Sequence, residues 1–206
     1  MIVQPVEFTD VFAANCYFYI DPDTKHGFVI DPSAHAVQLF DIAGTNHWTI
    51  EKILLTHSHL DHIAAAVELS ERLKVPFFGH ENAKLYLSSP ELAAHFTDRQ
   101  VLEKMQFFDH DTITLSANAQ VKLRILHTPG HTLDSVVFYD AENHLAFTGD
   151  TIFRGAIGRT DIDGSGGDAK ALYQSIRQHI LSLPPDTVLY PGHGPMTTVK
   201  NEKGLF

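Results

Sequence analysis

The sequence predicts an α/β fold in which two mixed β-sheets are packed between helix layers. Short β-branched and aromatic runs alternate with segments of helical period, in the order strands–helix–strand–helix and then strands–helix–strand. The run Ile53-Leu54-Leu55 is apolar throughout, which is typical of a strand covered on both faces. Because the 206 residues contain no clear linker or tandem repeat, residues 1–206 are expected to form one domain.

The first half of the chain is predicted to contain four further strands and several helical segments, on either side of the apolar strand Ile53-Leu54-Leu55. Strands are predicted at residues 2–8, 16–20, 27–30 and 75–78, with a helix at 34–43 that stops at Gly44. Apolar residues at helical spacing predict one helix over 61–74, ending before Pro76. Residues 83–96 are predicted to be helical in pieces, broken at Pro90.

The second half repeats this pattern. Strands are predicted at residues 106–108, 121–126, 135–139, 145–147 and 187–190. A helix is predicted at 169–181, with Asp168 as its N-cap and an apolar stripe along one side. Residues 155–167 contain five glycines and are interpreted as a long loop, which within a compact domain is often functional.

Composition and charge exclude several classes of partner. The net charge is −10, with 15 Lys and Arg scattered among 25 Asp and Glu, so nucleic acid and anionic membranes are not expected partners. The single cysteine, Cys16, lies in an apolar run and is interpreted as a small buried hydrophobe. Residues 1–10 lack the features of a signal peptide, and no apolar run approaches the roughly 20 residues that span a bilayer. A soluble cytoplasmic protein that acts on a small molecule is expected.

Three histidines and one aspartate follow the buried strand directly, in the run THSHLDH at residues 56–62. His57 and His59 are two positions apart, so in an extended loop they face the same way. Asp61 and His62 begin the next predicted helix and approach from another direction. Two pairs from one loop could therefore serve two adjacent cations, because imidazole and carboxylate are ligands that zinc, iron and manganese accept.

Three further segments place a metal-binding side chain just after a strand and a glycine: TPGHT at 128–132, TGD at 148–150 and PGHG at 191–194. Any one of these residues alone would more often be a turn or surface residue, but their combination favours a metal site. The seven candidate ligands are His57, His59, Asp61, His62, His131, Asp150 and His193. The remaining histidines lack this context and are interpreted as structural or exposed.

These four motifs resemble the metal-binding motifs of the metallo-β-lactamase superfamily. The Gly158-Arg159-Thr160-Asp161 loop and the spacing resemble the glyoxalase II branch, the hydroxyacylglutathione hydrolases, over nearly the whole chain. The resemblance implies an αββα sandwich, one metal on His57, His59 and His131, a second on Asp61, His62 and His193, and Asp150 bridging both. It also implies that Arg159 binds substrate, and a guanidinium suits a carboxylate.

The implied activity is that of a dinuclear metal-dependent hydrolase with two divalent ions, zinc or alternatively iron or manganese. A metal-bridging hydroxide, held with Asp61 and Asp150, would attack a carbonyl carbon. A thioester, including one derived from glutathione, is the favoured substrate because a thiolate leaves without a general acid.

The chain stops at Phe206 without the C-terminal helical domain of long glyoxalase II enzymes and so resembles the short bacterial forms. It also carries Thr132-Leu133-Asp134 where relatives often have Pro-Gly after the threonine.

Four other functions are compatible with parts of this pattern. A mononuclear iron persulfide dioxygenase has the same fold and nearly the same motifs, and it is the main alternative. A secreted zinc β-lactamase would need a signal peptide, and a nuclease of this fold is disfavoured by the acidic charge. A non-catalytic binding module is disfavoured because no ligand is missing.

Overall fold

Two mixed β-sheets form the centre of the computed structural model, which describes residues 1–89 and 98–205. In the first sheet the three N-terminal strands are antiparallel and the later strands are parallel. In spatial order it comprises β1 (Ile2–Glu7), β2 (Asn15–Ile20), β3 (His26–Ile30), β4 (Thr49–Leu54), β5 (Phe77–Gly79) and β6 (Gln106–Phe107).

The second sheet is antiparallel except for one parallel pair. In chain order it comprises β7 (Thr112–Thr114), β8 (Lys122–His127), β9 (Val136–Asp140), β10 (Leu145–Gly149), β13 (Val188–Pro191) and β14 (Thr197–Thr198). The parallel pair is β10 with β13. A separate two-stranded hairpin, β11 (Ile152–Phe153) with β12 (Ala156–Ile157), follows β10.

Helices cover the outer face of each sheet. Those against the first sheet are α1 (Ala36–Thr45), α2 (Leu60–Ile63), α3 (Ala66–Leu73), α4 (Lys84–Ser88) and α5 (Arg99–Lys104). Those against the second are α6 (Ala169–Ser175), its π-helical continuation Ile176–Ile180, and α7 (Val199–Glu202). None of the helices in the described ranges is long and apolar enough to cross a membrane.

Successive side chains of a strand point to opposite faces of its sheet, so the core divides into three layers: one between the sheets and one under the helices on each side. In β2, Tyr17 and Tyr19 pack between the two sheets, whereas Phe18 packs outward against the helices of the first sheet. Across the central layer the ring of Tyr19 lies 5.5 Å from that of Phe147. Cys16 is fully buried, as predicted. The predicted αββα sandwich is confirmed.

The prediction of one helix over residues 61–74 is wrong. The Ala65 amide donates to the carbonyl of Pro32 at 3.0 Å instead of continuing the helical ladder. This long-range hydrogen bond separates α2 from α3, and α3 then ends before Pro76 as expected.

Predictions for the second half hold for the longer elements. Asp168 caps α6 by accepting from the amides of Lys170 and Ala171, as predicted. The short strands β7 and β14, the hairpin and α7 were not predicted, because each has too few residues to show a period. The predicted break at Pro90 lies outside the described residues.

Candidate metal centre

The seven predicted ligands lie together at one edge of the sandwich, in the loops that follow β4, β8, β10 and β13. The strands of the two sheets therefore deliver side chains that are up to 136 positions apart, His57 and His193, to one place. Six of the seven form two groups of three, and the seventh, Asp150, forms a third group with one histidine from each, His57 and His62.

The first group consists of His57, His59 and His131, all of them buried. Their ligand atoms lie within 4.8 Å of one another. His59 Nδ1 and His131 Nε2 are 2.9 Å apart, and the ring of His57 lies 4.8 Å from that of His59. Three imidazoles at this separation can hold one ion.

The second group consists of Asp61, His62 and His193. Asp61 Oδ2 lies 3.1 Å from His193 Nε2 and 3.7 Å from His62 Nε2. The two groups are adjacent, because the rings of His57 and His62 are only 4.2 Å apart.

Asp150 lies between the two groups. Its Oδ1 is 3.3 Å from His62 Nε2, and its Oδ2 is 3.5 Å from both His131 Nε2 and His193 Nε2. The carboxylate thus approaches ligand atoms of both groups, which is the position that a bridging ligand requires.

Unpartnered polar atoms test whether this cluster fits metal ions. His57 Nε2, His62 Nε2 and Asp150 Oδ1 are buried and have no hydrogen-bond partner among the described residues. Buried polar atoms are normally hydrogen bonded, and an exception needs an explanation. Divalent cations at these atoms supply one, and a donor set of imidazoles and carboxylates suits zinc, iron or manganese. The residues therefore fit metal ions.

Burial and mutual repulsion keep the first group neutral. Burial, together with the nearby His62 and other imidazoles, lowers the pKa of His57 well below its ordinary value. Burial and His131 lower the pKa of His59 to about 3. Burial alone would raise the pKa of Asp150, but His62 and the other histidines outweigh it and hold that pKa below its usual value. Neutral imidazoles and an ionised carboxylate are the forms that bind metal.

Asp31 is a site residue that the sequence analysis missed. Its Oδ2 lies 3.0 Å from His62 Nδ1, and it accepts hydrogen bonds from the amide and the hydroxyl of Thr56 at 2.7 and 2.6 Å. A carboxylate at Nδ1 leaves Nε2 to face the metal position. Asp31 directly follows β3. It therefore shares the strand-end placement of the predicted ligands, but no flanking glycine marked it.

Two other histidines are oriented by backbone carbonyls. His131 Nδ1 lies 2.7 Å from the carbonyl oxygen of Arg159, and His193 Nδ1 lies 3.0 Å from that of Ala13. Both imidazoles therefore direct Nε2 towards the cluster.

Asp134, the departure from the family pattern, is fully buried and accepts a 2.5 Å hydrogen bond from Ser58, between His57 and His59. It supports the loop without belonging to the cluster.

Gly149 and Gly192 serve this site for different physical reasons. Gly149 has a positive φ of 47°, a backbone conformation that favours glycine. At Gly192, however, a Cβ atom would lie 2.2 Å from Asp150 Oδ1 and 2.5 Å from His62 Cε1. The absence of a side chain at residue 192 is what leaves room for the cluster.

A cavity of about 500 Å³ opens above the cluster. Its floor includes His59, Asp61, His131, Asp150 and His193, and the other lining residues are Phe12, Leu60, Phe153, Arg159 and Ile162. The side chain of Arg159 is 70% exposed and its Nε lies 2.9 Å from Asp161 Oδ1. The predicted substrate-binding residue therefore lines the cavity while paired with an acidic neighbour.

The other histidines stay outside this site. Within residues 1–89 and 98–205, none of them belongs to a group of three that could hold an ion. His80 and His127 stack on each other with ring centres 4.0 Å apart, and His26 contacts Glu51 at 3.0 Å. His95 lies outside the described residues.

Residues 9–193 match the family model of the metallo-beta-lactamase superfamily. The chain belongs to the metallo-β-lactamase superfamily. It is an enzyme of the metallo-hydrolase class, with a His and Asp cluster able to bind metals.

Individual relatives cover nearly the whole chain. Hydroxyacylglutathione hydrolase GloC of Haemophilus influenzae is 35% identical over 196 residues, which span 93% of this chain and 91% of GloC. The crystal structure of the BLEG-1 B3 metallo-beta-lactamase superposes with a TM-score of 0.83 at 28% identity, covering 98% of this chain and 97% of that chain. TTHA1623 in a di-iron-bound form superposes with a TM-score of 0.79 at 33% identity, with the same coverage.

Proposed function

We propose that this protein is a dinuclear metal-dependent thioesterase of the hydroxyacylglutathione hydrolase type. The observation that carries the proposal is the position of Asp150, within 3.5 Å of ligand atoms from both groups of three. His57, His59 and His131 would hold one ion, Asp61, His62 and His193 the other, and Asp150 both. The similarity to GloC, a hydroxyacylglutathione hydrolase, supports a thioester as the kind of bond that is hydrolysed.

Divalent ions held there would polarise a substrate carbonyl and make water more acidic. Asp61 and Asp150 contribute as ionised carboxylates, since the pKa of each is held below its usual value against the opposing effect of burial. Apart from the predicted ligands, the described cavity lining consists of four apolar side chains and Arg159. A guanidinium does not give up its proton near neutral pH. An amine leaving group would therefore find no proton donor there, whereas a thiolate needs none.

One observation favours a second function. His57, His59 and His131 by themselves form a complete group of three, which a single iron could occupy. A mononuclear iron persulfide dioxygenase is therefore the alternative.

Parallel assays of purified, undialysed protein separate the two functions. We expect hydrolysis of S-D-lactoylglutathione, followed as thiol release, without oxygen uptake in the presence of glutathione persulfide. Oxygen consumption with the persulfide, together with no thiol release from the thioester, would reject the thioesterase proposal in favour of the dioxygenase.

Metal analysis provides the next test. Up to two zinc, iron or manganese ions per chain are expected, because the seven candidate ligands divide into two groups with a shared carboxylate. Removal by a chelator should abolish thioester hydrolysis, and adding back the divalent ion should restore it. Elemental analysis that detects none of these metals in active protein would contradict the assignment.

Arg159→Ala should weaken the hydrolysis of an anionic thioester more than that of a neutral one. Loss of one charged hydrogen-bond partner is worth roughly 1.5–3 kcal/mol, or about tenfold to a hundredfold in kcat/KM. The change should fall mainly on KM, with the metal content unchanged.

Asp161→Asn is the matched control for Arg159, because it removes the acidic partner of the guanidinium while keeping the loop sequence otherwise intact. If Arg159 binds substrate, this variant should retain or improve the KM for the anionic thioester. If both variants impair charged and neutral thioesters equally, the ion pair orders the loop and Arg159 does not bind the substrate's charge.

A further inference from the structure

Four apolar side chains form the wall of the cavity above the metal cluster. Phe12 lies in the loop after β1, Leu60 begins α2, Phe153 is in β11, and Ile162 is in the glycine-rich loop. All four are partly exposed, so they can be reached from the cavity. The ring of Phe153 meets that of His193 edge-on at 6.1 Å, which brings the wall next to the cluster.

Polar side chains are confined to the floor and the rim of this cavity. The floor consists of the candidate metal ligands, and the one other polar lining residue in the described chain is Arg159. Arg159 is largely exposed and paired with Asp161. The wall between them therefore has no side chain that could hydrogen bond to the hydroxyl of a small hydroxyacyl group, whereas it suits a hydrocarbon chain.

A neighbouring cavity of about 480 Å³ shares Phe12 with the first. Val11 and Val37 line it and are each 47% exposed, and Ala64 and Ala65 contribute further apolar surface. Its polar lining residues are His35, Gln38 and Glu68. Phe12 thus presents apolar surface to both cavities.

We infer that this wall is an acyl-chain subsite, and that the enzyme prefers thioesters of medium-length fatty acids to those of small hydroxy acids. The inference rests on the proposed thioesterase function and specifies its substrate. In the reaction, the oxygen of water bonds to the acyl carbon, and the carbon–sulfur bond breaks. The sulfur leaves with the bonding electron pair and a proton from water, so the products are a fatty acid and a thiol.

The experiment varies the acyl chain on a constant thiol. Metal-loaded full-length protein is assayed with the acetyl, butanoyl, hexanoyl and octanoyl thioesters of glutathione, and with S-D-lactoylglutathione. Burial of each added methylene should raise kcat/KM by up to roughly fourfold. The octanoyl chain has five more carbons than the lactoyl group, so its ester should exceed the lactoyl ester by up to about a thousandfold.

Variants locate the effect in the structure. Phe153→Ala and Phe12→Ala should flatten the dependence of kcat/KM on acyl-chain length. Phe40→Ala is the matched control, because Phe40 is a 39% exposed phenylalanine of α1 that lines neither cavity. It should retain the full dependence.

Calorimetry with S-methyl- and S-hexylglutathione gives a readout that does not depend on turnover, because these thioethers are not hydrolysed. Tighter binding of the hexyl compound, reduced by Phe153→Ala, is expected. Equal affinity for the two thioethers, or thioester hydrolysis that does not rise with chain length, would overturn the acyl-chain subsite and leave the thioesterase proposal standing. Chain-length-dependent binding without hydrolysis of any thioester would instead overturn the thioesterase proposal.

Discussion

Asp150→Ala is expected to lower kcat/KM for thioester hydrolysis by about three orders of magnitude, because Lewis-acid catalysis is worth several kcal/mol. Asp150 is the one candidate ligand whose two oxygens approach both groups, so its loss should weaken the binding of both ions. His59→Ala, which affects the first group alone, should be less damaging.

The Asp150→Ala variant should still fold. Asp150 lies in a loop over a separately packed core, and its Oδ1 has no hydrogen-bond partner to lose. Circular dichroism should therefore show a native spectrum, while elemental analysis shows fewer ions per chain.

Asp163→Ala is the matched control for Asp150→Ala, because Asp163 is an exposed aspartate of the glycine-rich loop and not a candidate ligand. Its activity and metal content should be unchanged. Near-normal turnover of Asp150→Ala with two ions per chain would refute the bridging role.

Asp31→Ala is expected to reduce activity or metal affinity by about 10- to 100-fold although Asp31 is not a candidate ligand. Without this carboxylate, His62 Nδ1 loses the partner that directs Nε2 towards the second group. The variant should also be less stable, because two donors of Thr56 lose a buried acceptor, at about 1–3 kcal/mol for each group left unsatisfied.

Two measurements separate the functional effect of Asp31 from the structural one. The metal affinity of the second ion should fall more than that of the first, because Asp31 contacts His62 directly but reaches His57 only through the Thr56 hydroxyl. Asp21→Ala removes another buried aspartate, which accepts from Thr24 and Asn118 away from the cluster. It should lower the melting temperature without changing metal affinity. Equal loss of metal affinity in both variants would mean that Asp31 acts only through stability.

The fold and the candidate ligands could be predicted because their signals are local. Each of the four motifs follows an apolar strand within a few residues, and strands at one edge of a sandwich bring such segments together. Longer elements such as α6 show their cap and their apolar stripe in the sequence itself. Two-residue strands such as β11 do not, because their formation depends on a pairing partner.

What the sequence by itself determined about this protein is the αββα class, the family and the set of residues available to bind metal. Only the tertiary structure decided what surrounds those residues. Asp31 meets His62 across 31 positions, and Asp134 meets Ser58 across 76.

The apolar wall combines Phe12, Leu60, Phe153 and Ile162 from four separate segments. In sequence each is an ordinary apolar residue near a loop, with no neighbour that marks its role. Hydrophobic burial is not directional, so which apolar side chains share one cavity is set by packing and cannot be read from local pattern.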